Sequence, residues 1–527
     1  MLCALLPTVS APNGHIWPAE RLRKVCFAGS PAGPLGVLAG MRITVERQTY
    51  DSLFIEGEWV PPSTPQRIPV FSASSEDRVG EVAAADIADV DTAVAAARRA
   101  FDDENGWAHW EPARRAAALE RFAAELTVRA ESTAQAVSTQ NGMPIRISRQ
   151  TEATVPATLL RYYAGLARTM HAEERRTSLV AGTTLVRNEP VGVVGAIVPW
   201  NFPQSLTFFK LAPALAAGCT VVLKPSSETL LDAMLVAEAA IAADLPAGVL
   251  NIVPGSGRVI GAHLVAHPGI DKVAFTGSTD AGRGIAETCA RLLRPVTLEL
   301  GGKSAGIFLD DVDMAAAMKA MFATSLLNQG QSCFISTRIL ARRSRYDEIV
   351  DAVTALASSL KIGDALDPTT AIGPLATSRQ RDVVEGYIAK GKAEGGRITT
   401  GGARPAEFDR GWFVEPTVFA DVDNNATIAR EEIFGPVLAI IPYHDVAEAI
   451  RLANDSDYGL GGTVWTTDVD RGLGVARRVR TGSFGVNGFT MDHGAPFGGV
   501  KSSGIGRELG PEGLAAYQEF KSIYLPA

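Results

Sequence analysis

Cys333 has surroundings that point to chemistry rather than to packing alone. It ends the polar segment NQGQSC (328–333), which lies between a helix-like apolar stretch and the strand-like TRIL (337–340). A lone cysteine is usually a small buried hydrophobic residue, and that alternative stays open here. Glutamines, an asparagine and a glycine beside a thiol are nevertheless unusual for a core, because they leave room for a substrate and for backbone N–H groups. The segment therefore predicts a nucleophilic thiol.

Two further side chains could support acyl chemistry at such a thiol. Glu299 ends the strand-like run of VTLELGGKS (296–304), and a carboxylate among apolar neighbours is a candidate general base because desolvation raises its pKa. The alternative is a solvent-facing residue on an edge strand. Asn201 lies between the prolines of PWNFP (199–203), where a fixed amide could donate to an oxyanion. A rigid turn is the alternative there.

Three glycine-containing segments match nucleotide-binding loops to different degrees. GSGRVIG (255–261) has Ile260 where the GxGxxG fingerprint needs glycine, and Thr297 stands where a P-loop ending in GGKS (301–304) needs one. ATP chemistry is therefore disfavoured. FTGSTDAG (275–282) follows a strand and opens a helix, so its amides could face an anion at the positive helix end. An ordinary strand-to-helix turn is the alternative.

The elements that would position these residues follow an alternating pattern. Short β-rich apolar runs alternate with helical stretches, at a spacing typical of βαβ units and a parallel sheet. Pro203 suits the first turn of one connecting helix, and Gly218 follows its apolar body as a stop. The strand candidates are VGVVGAIV (191–198), TVVL (220–223), VLNIV (249–253), KVAF (272–275) and SAGIFL (304–309).

The flanking segments complete the predicted organisation. Before this pattern, a first recognisable strand, FIEGEWV (54–60), precedes a part in which helices such as DIADVDTAVAAARRAF (86–101) dominate. After it, a second α/β alternation runs from about 310 to 482, with strands near Ile339 and Val437. Two α/β domains are the economical partition. Residues 1–40 contain five prolines and no helical or strand period, so they predict a loose extension that folding does not require.

Composition excludes several classes of protein. The 527 residues are 46% hydrophobic and 20% charged, as in folded globular proteins. The 50 Lys and Arg against 58 Asp and Glu give a charge of −8, the wrong sign for a nucleic-acid binder. The sequence contains no apolar run of the roughly 18 residues that a membrane span needs. Five cysteines without a CxxC pair argue against a structural zinc site or disulfide framework and favour a reducing, cytoplasmic compartment.

Seven motifs stand in an order that resembles the NAD(P)-dependent aldehyde dehydrogenase superfamily. The resemblance covers about residue 50 to the C-terminus, and residues 1–40 have no counterpart in it. The motifs are PWNFP (199–203), LKPSSET (223–229), FTGST (275–279), ELGGKS (299–304), NQGQSC (328–333), EEIFGPV (431–437) and PFGGVKSSGIGRELG (496–510).

The resemblance implies an α/β fold of three parts. A Rossmann-type domain binds the dinucleotide, a second α/β domain carries the thiol, and a small β element serves oligomerisation. Because an isolated hairpin is only marginally stable in water, that element needs a partner subunit, and a homodimer or homotetramer is expected. The implied ranges are 50–170 and 191–299 for dinucleotide binding, 300–506 for catalysis, and 171–190 and 507–527 for oligomerisation, after an unstructured or non-native extension at 1–40.

The resemblance also implies a role for each catalytic position. Cys333 matches the nucleophile, Glu299 the base that activates the hydrolytic water, and Asn201 the oxyanion donor that works with the Cys333 N–H. Lys210 and Glu508 match a buried pair proposed to relay protons from that base. The implied reaction oxidises an aldehyde to its carboxylic acid with NAD or NADP, through a thiohemiacetal and then a thioester on the cysteine.

A cofactor surface is implied in the same way. Lys224 matches the residue that holds the adenosine ribose, and Gly277 with Ser278 lies against the pyrophosphate. Glu432 matches the carboxylate that grips the nicotinamide ribose, and Phe434 the ring that packs near the nicotinamide. The other implied contacts are Val198, Pro199, Trp200, Ser227, Gly257, Phe275 and Leu300.

Two positions depart from the family pattern. Many NAD-preferring relatives carry glutamate at the position of Ser227, where the carboxylate accepts a hydrogen bond from the ribose 2'-hydroxyl. Glu228 follows instead, so both NAD and NADP stay open. Ser332, beside the thiol, is often larger or apolar in relatives, which leaves the preferred aldehyde open.

Three other functions fit parts of the sequence. A CoA-acylating relative would intercept the thioester with CoA, but such enzymes tend to lack the glutamate found at Glu299. A non-catalytic nucleotide-binding structural relative would permit loss of Cys333, Glu299 or Asn201, and all three are present. An esterase that uses the same thiol would leave the nucleotide motifs unexplained.

Overall fold

The computed structural model describes residues 48–170 and 172–526, so the extension predicted at 1–40 lies outside the described residues. The described chain begins with short strands, which precede the helices that we predict to dominate this part. The elements are β1 (Gln48–Tyr50), β2 (Leu53–Ile55), β3 (Glu58–Val60), β4 (Arg67–Phe71), β5 (Arg78–Ala83), α1 (Ile87–Asp102), α2 (Pro112–Val128), α3 (Ala130–Asn141), α4 (Ile145–Gln150) and α5 (Val155–Thr169).

The central segment alternates strands and helices as predicted. Its apolar strands are buried on both faces, which is typical of a parallel sheet covered by helices. The elements are β6 (Glu173–Thr177), β7 (Thr183–Pro190), β8 (Val193–Ile197), α6 (Pro203–Ala217), β9 (Thr220–Lys224), α7 (Leu231–Ala242), β10 (Leu250–Ile252), α8 (Ala262–Ala266), β11 (Lys272–Thr276), α9 (Thr279–Arg291) and β12 (Val296–Glu299).

The last segment contains the second α/β alternation. Strands at both predicted positions, Ile339 and Val437, are present. The elements are β13 (Ser304–Phe308), α10 (Met314–Met321), β14 (Ser336–Arg342), α11 (Tyr346–Ser359), α12 (Ser378–Ala393), β15 (Arg397–Thr400), β16 (Thr417–Ala420), α13 (Thr427–Arg430), β17 (Val437–Tyr443), α14 (Val446–Asn454), β18 (Gly462–Trp465), α15 (Val469–Ala476), β19 (Gly485–Val486), β20 (Gly504–Ile505), α16 (Gly510–Ala515) and β21 (Gln518–Leu525).

Two large sheets, both mostly parallel, organise these elements. Within the described residues, the first has the order β20-β12-β11-β8-β9-β10-β2-β3 and the second the order β15-β16-β17-β14-β13-β18-β19. Two smaller sheets have the orders β1-β5-β4 and β21-β7-β6. None of the helices in the described ranges has the length and apolar character that crossing a bilayer demands.

Local sequence features explain the bounds of α6, the helix that follows the PWNFP motif. Pro203 occupies its first turn, and Gly218 ends it in the left-handed conformation with φ of 102°. Both features match the sequence prediction. Every residue of α6 is buried, and the helix packs between α5 and the strands β8 and β9 of the first sheet.

Candidate active site

Two cavities meet at Cys333. The smaller cavity, of about 360 Å³, is lined by residues such as Phe209 and Phe497, and the larger, of about 380 Å³, by residues such as Trp200 and Glu432. The walls of both include Cys333 and Asn201. Cys333 is a partly exposed residue whose thiol lies inside the protein, where either cavity can reach it. This position argues against the alternative of a purely structural buried cysteine, which fits Cys219 instead, since that side chain is fully buried beside the Tyr517 carbonyl.

The loop before the thiol has strained backbone. Asn328, Gln329 and Gly330 are consecutive residues with φ of 50°, 55° and 75°. Non-glycine residues rarely adopt this region, so surrounding contacts must hold it. The Gln329 amide donates to the carbonyls of Gly142 and Pro374, each at 2.9 Å. Polar residues of NQGQSC therefore fix the loop that carries Cys333, the candidate nucleophile.

Asn201 is fixed by hydrogen bonds at both ends. Its Nδ2 donates to the Gln331 carbonyl at 3.0 Å. Its backbone carbonyl accepts from the side-chain amides of Asn141 at 3.2 Å and Asn328 at 2.9 Å. Asn141 was not predicted as a site residue, because an Asn-Gly pair after a helix reads as an ordinary helix end. The Asn201 amide is thus held within the wall that the thiol shares.

Glu299 is a buried carboxylate that forms no salt bridge within the described residues. It ends β12, which pairs with β11 on one side and β20 on the other, so it does not lie on a solvent-facing edge. Its side chain is 2% exposed, the Gly499 backbone N–H faces the carboxylate, and no side chain within the described residues hydrogen-bonds to either oxygen. Burial and the nearby Glu508 carboxylate raise the pKa of Glu299 well above its usual range, against the opposing effect of Lys210. Such a group is suited to accept a proton near neutral pH.

Lys210 and Glu508 form a buried ion pair beside this carboxylate. The Lys210 Nζ donates to Glu508 Oε1 at 2.8 Å and to the Thr276 hydroxyl at 2.5 Å. The second Glu508 oxygen has no partner in the described part of the chain. The structure therefore brings the two predicted relay residues into contact, next to Glu299.

The electrostatic surroundings of the thiol favour its neutral form. Burial, with the Glu432 and Glu299 carboxylates, raises the pKa of Cys333 above its ordinary value. Since the thiolate is the nucleophile, the site needs a positive influence or a proton acceptor when substrate binds.

The larger cavity contains most of the predicted nicotinamide-side contacts. The Trp200 and Phe434 rings meet edge to face with centroids 5.3 Å apart. Phe434 has a φ of 56°, and the Gln380 amide, which sequence reasoning missed, holds its carbonyl at 2.9 Å. The predicted residues that line this cavity are Pro199, Trp200, Gly277, Ser278, Leu300, Glu432 and Phe434.

The same cavity has features that suit a dinucleotide. Ser278 caps α9 by accepting from the Ala281 N–H at 3.3 Å, which leaves the positive helix end beside the cavity. The Gly277 N–H donates to the Glu299 carbonyl at 3.0 Å, so this turn lies directly beside the predicted base. Glu432 accepts from the Gly302 N–H at 2.9 Å, and burial raises its pKa to about 7. A positive helix end, a half-buried carboxylate that could accept from a ribose hydroxyl, and aromatic rings on the cavity wall together fit NAD or NADP.

The other predicted cofactor contacts lie outside the wall of this cavity. The Lys224 amine donates to the carbonyls of Pro225 at 2.6 Å and Gly255 at 2.9 Å, and burial lowers its pKa to about 8. Gly257 opens an exposed π-helical turn, and the Phe275 ring packs where a side chain at Gly277 would lie. The predicted residues outside the wall are Val198, Lys224, Ser227, Gly257 and Phe275.

Ser227 and Glu228 differ in their access to the cavity. The Ser227 hydroxyl donates to the Gly255 carbonyl at 3.1 Å, whereas Glu228 is exposed and lines the cavity. The acidic group near the expected adenosine side is therefore offset by one residue from the usual position.

The smaller cavity is apolar. Ser332, beside the thiol, is buried there, and its hydroxyl has no partner among the described residues. Carbon-rich walls favour an apolar substrate. The apolar lining consists of Val155, Phe202, Leu206, Phe209, Ala323, Leu327, Phe334, Phe489, Met491 and Phe497.

Within the described residues, a histidine cluster joins Asp91 on α1 to His263 on α8 and His267, which follows α8. Asp91 Oδ1 lies 2.6 Å from His263 Nε2 and 3.3 Å from His267 Nε2. The His267 Nδ1 accepts from the Gly269 N–H at 3.0 Å, so its Nε2 carries the proton that faces Asp91. This arrangement suits a hydrogen-bonded contact between helices better than a metal site.

Comparisons with known proteins agree with this geometry. The family model described as the aldehyde dehydrogenase family matches residues 59–523. Geranial dehydrogenase of Castellaniella defragrans is 56% identical over 476 residues, which are 90% of this chain and 99% of that protein.

Solved structures agree as well. An aldehyde dehydrogenase of Mycobacterium tuberculosis, solved with NAD+, is 49% identical with a TM-score of 0.89, covering 91% of this chain and 99% of its own. Aldehyde dehydrogenase C of Pseudomonas syringae, a mutant solved with NAD+ and octanal, is 39% identical with a TM-score of 0.86, covering 91% and 96%.

Proposed function

Because the chain belongs to the aldehyde dehydrogenase family, we propose that its oxidation of aldehydes proceeds through a thioester on Cys333. The protein is an NAD(P)-dependent oxidoreductase that converts an aldehyde to its carboxylic acid. The observation that carries the proposal is the position of Cys333 and Asn201 on the walls of both cavities. Substrate in one cavity and cofactor in the other would both reach the sulfur.

Each side chain has a separate part in the proposed mechanism. Cys333 Sγ loses its proton to solvent and attacks the aldehyde carbon as the thiolate, and the Asn201 amide with the Cys333 N–H stabilises the resulting oxyanion. When bound, the nicotinamide supplies the hydride acceptor. Glu299 then removes a proton from water that attacks the thioester, and the carboxylic acid leaves. The Lys210 and Glu508 pair receives that proton from Glu299, and Glu432 with Phe434 holds the cofactor.

An apolar aldehyde is the proposed substrate class. The carbon-rich lining of the smaller cavity supports it, as do a relative named for geranial and a neighbour solved with octanal. We expect kcat/KM to rise roughly fourfold per methylene from butanal to octanal, because burying each CH₂ contributes about 0.8 kcal/mol. Initial rates read at 340 nm test this, and the dissociation constant for NADH serves as a length-independent control. A flat or falling series would contradict an apolar preference.

Cofactor preference is proposed to depend on the acidic side chain at the adenosine end. Ser227→Glu should shift the NAD to NADP ratio of kcat/KM toward NAD by roughly tenfold or more, because a carboxylate accepts from the 2'-hydroxyl and repels a 2'-phosphate. Glu228→Gln tests the neighbouring carboxylate and should shift the ratio toward NADP. Both follow from separate titrations of NAD and NADP at fixed aldehyde. Unchanged ratios in both variants would mean that neither residue approaches the 2' position.

Glu508 is proposed to set the pH range of thioester hydrolysis. Hydrolysis needs ionised Glu299, so its rate rises with pH through the pKa of that group. The Glu508 carboxylate raises this pKa, and Glu508→Gln should therefore move the half-maximal pH downward, by about one unit. Single-turnover loss of acyl enzyme across pH 5 to 9 measures the shift. A shift upward would contradict the assignment.

The assembly is proposed from an exposed strand, and the location from the free cysteines. We propose a homodimer or homotetramer that uses the β21-β7-β6 sheet, whose outer strand exposes Phe520 (77%) and Tyr524 (79%). The oligomerisation ranges 171–190 and 507–527 and the other predicted domain boundaries stay part of this proposal. A cytoplasmic location is supported by the free thiols of Cys219, Cys289 and Cys333.

A further inference from the structure

Glu152 is a fully buried carboxylate that the mechanism above does not use. It lies in the turn between α4 and α5, and the adjacent Thr151 and the first residue of α5, Val155, both line the apolar cavity. Burying a carboxylate is costly unless donors compensate for the lost water. The hydrogen-bond partners of Glu152 therefore indicate the role of its carboxylate.

The partners of Glu152 belong to the first turn of α6. Oε2 accepts from the backbone N–H groups of Gln204 at 2.8 Å and Ser205 at 3.3 Å. Oε1 accepts from the Ser205 hydroxyl at 2.6 Å. Backbone N–H groups in a first turn have no partner within the helix, and an anion there also opposes the positive helix end.

A second buried carboxylate holds the same turn from another side. Asp232, on α7, accepts from the Gln204 side-chain amide at 2.7 Å and from Gln140 at 3.0 Å. The Gln140 oxygen in turn accepts from the N–H groups of Leu230 and Leu231. The start of α6 is thereby fixed through its backbone by Glu152 and through a side chain by Asp232.

This turn connects the proposed oxyanion donor with the substrate wall. Asn201 precedes α6 by one residue, Phe202, and Ser205 with Leu206 lines the apolar cavity. We propose that Glu152 is a positioning residue: by holding the first turn of α6, its carboxylate places the Asn201 amide and the adjacent cavity wall against the thiol. This inference rests on the proposed oxyanion role of Asn201.

The ionisation of Glu152 gives the proposal a measurable signature. Burial raises its pKa to about 7, the three donors on α6 oppose that rise, and Asp232, the facing titratable group, adds to it. Burial likewise raises the pKa of Asp232 to about 6. Protonated Glu152 presents a donor to a helix end that offers only N–H groups and a hydroxyl. The turn should loosen, and kcat/KM should fall as the pH drops below about 7.

Two variants test this signature in pH profiles of kcat/KM for octanal between pH 5.5 and 9. Glu152→Gln keeps the shape but cannot accept at both oxygen positions. It should lower kcat/KM roughly ten- to hundredfold at pH 8, as small misplacements of reacting groups do, and lose the acidic limb. Ser205→Ala removes a hydrogen bond that lowers the pKa of Glu152, so its acidic limb should move to higher pH.

The outcomes separate this inference from the proposed function. If the acidic limb of the kcat/KM profile stays at the same pH in Ser205→Ala, a group other than Glu152 produces that limb and the inference is wrong. This test holds even if Glu152→Gln fails to fold. A Glu152→Gln variant with wild-type kcat/KM and limb would do the same. Asn201→Ala provides the reference: if it leaves kcat/KM unchanged, the oxyanion assignment itself is wrong. A large loss in Asn201→Ala without a change in Glu152→Gln would reject only the positioning role.

Discussion

Cys333→Ala is expected to abolish aldehyde oxidation, lowering kcat by at least roughly four orders of magnitude. Without the sulfur, no covalent hemiacetal forms from which a hydride can be transferred efficiently. Both cavities lose their common reactive atom, although the Asn201 amide and Glu299 carboxylate remain in place. NADH formation at 340 nm with octanal measures the loss, and intact-protein mass spectrometry should find no acyl adduct.

Cys219→Ala is the matched control for this loss. Cys219 is fully buried beside the Tyr517 carbonyl, and burial raises the pKa of its thiol to about 12, so it is not available as a nucleophile. The Cys219→Ala variant should oxidise aldehydes at close to the wild-type rate. Cys333→Ala should still bind NADH, as followed by nucleotide fluorescence. Residual turnover above a hundredth of wild type in Cys333→Ala would mean that another group attacks the aldehyde.

The candidate site residues could be singled out from the sequence because each stands in a short local pattern. Two prolines restrict the backbone around Asn201, a strand ends at Glu299, and a polar loop carries Cys333 between a helix and a strand. Such patterns are legible without tertiary structure, and the strands of the first parallel sheet followed from their continuous apolar runs.

The residues that hold the site were not predictable in the same way. Asn141 contacts Asn201 from 60 residues away, Gln380 holds the carbonyl of Phe434 from 54 residues away, and Glu152 reaches α6 from 52 residues away. Each is an unremarkable polar residue in its own segment, and only the packing of distant elements makes it a partner. Of the short strands before α1, FIEGEWV (54–60) was recognisable and contains most of β2 and β3, whereas β1, β4 and β5 were missed, since three to six residues are too few for a clear period.

Glu299→Gln is expected to separate the two half-reactions. The amide preserves the approximate shape of the side chain but cannot take a proton from water, so hydrolysis of the thioester should suffer more than its formation. Steady-state turnover should fall by roughly two to four orders of magnitude. In a single turnover with excess enzyme, reduced cofactor should still form in a stoichiometric burst, and the acyl group should accumulate on Cys333.

Mass spectrometry of the quenched reaction measures that accumulation, with Glu287→Gln as the matched control, since Glu287 is an exposed carboxylate on α9. The control should show wild-type turnover and no stable adduct. If Glu299→Gln gives neither burst nor thioester, the Glu299 carboxylate acts earlier, by taking the proton of the Cys333 thiol. That carboxylate also helps to raise the pKa of the thiol. If Glu299→Gln turns over normally, the buried Glu508 carboxylate is an alternative acceptor, and the double variant with Glu508→Gln should then stop hydrolysis.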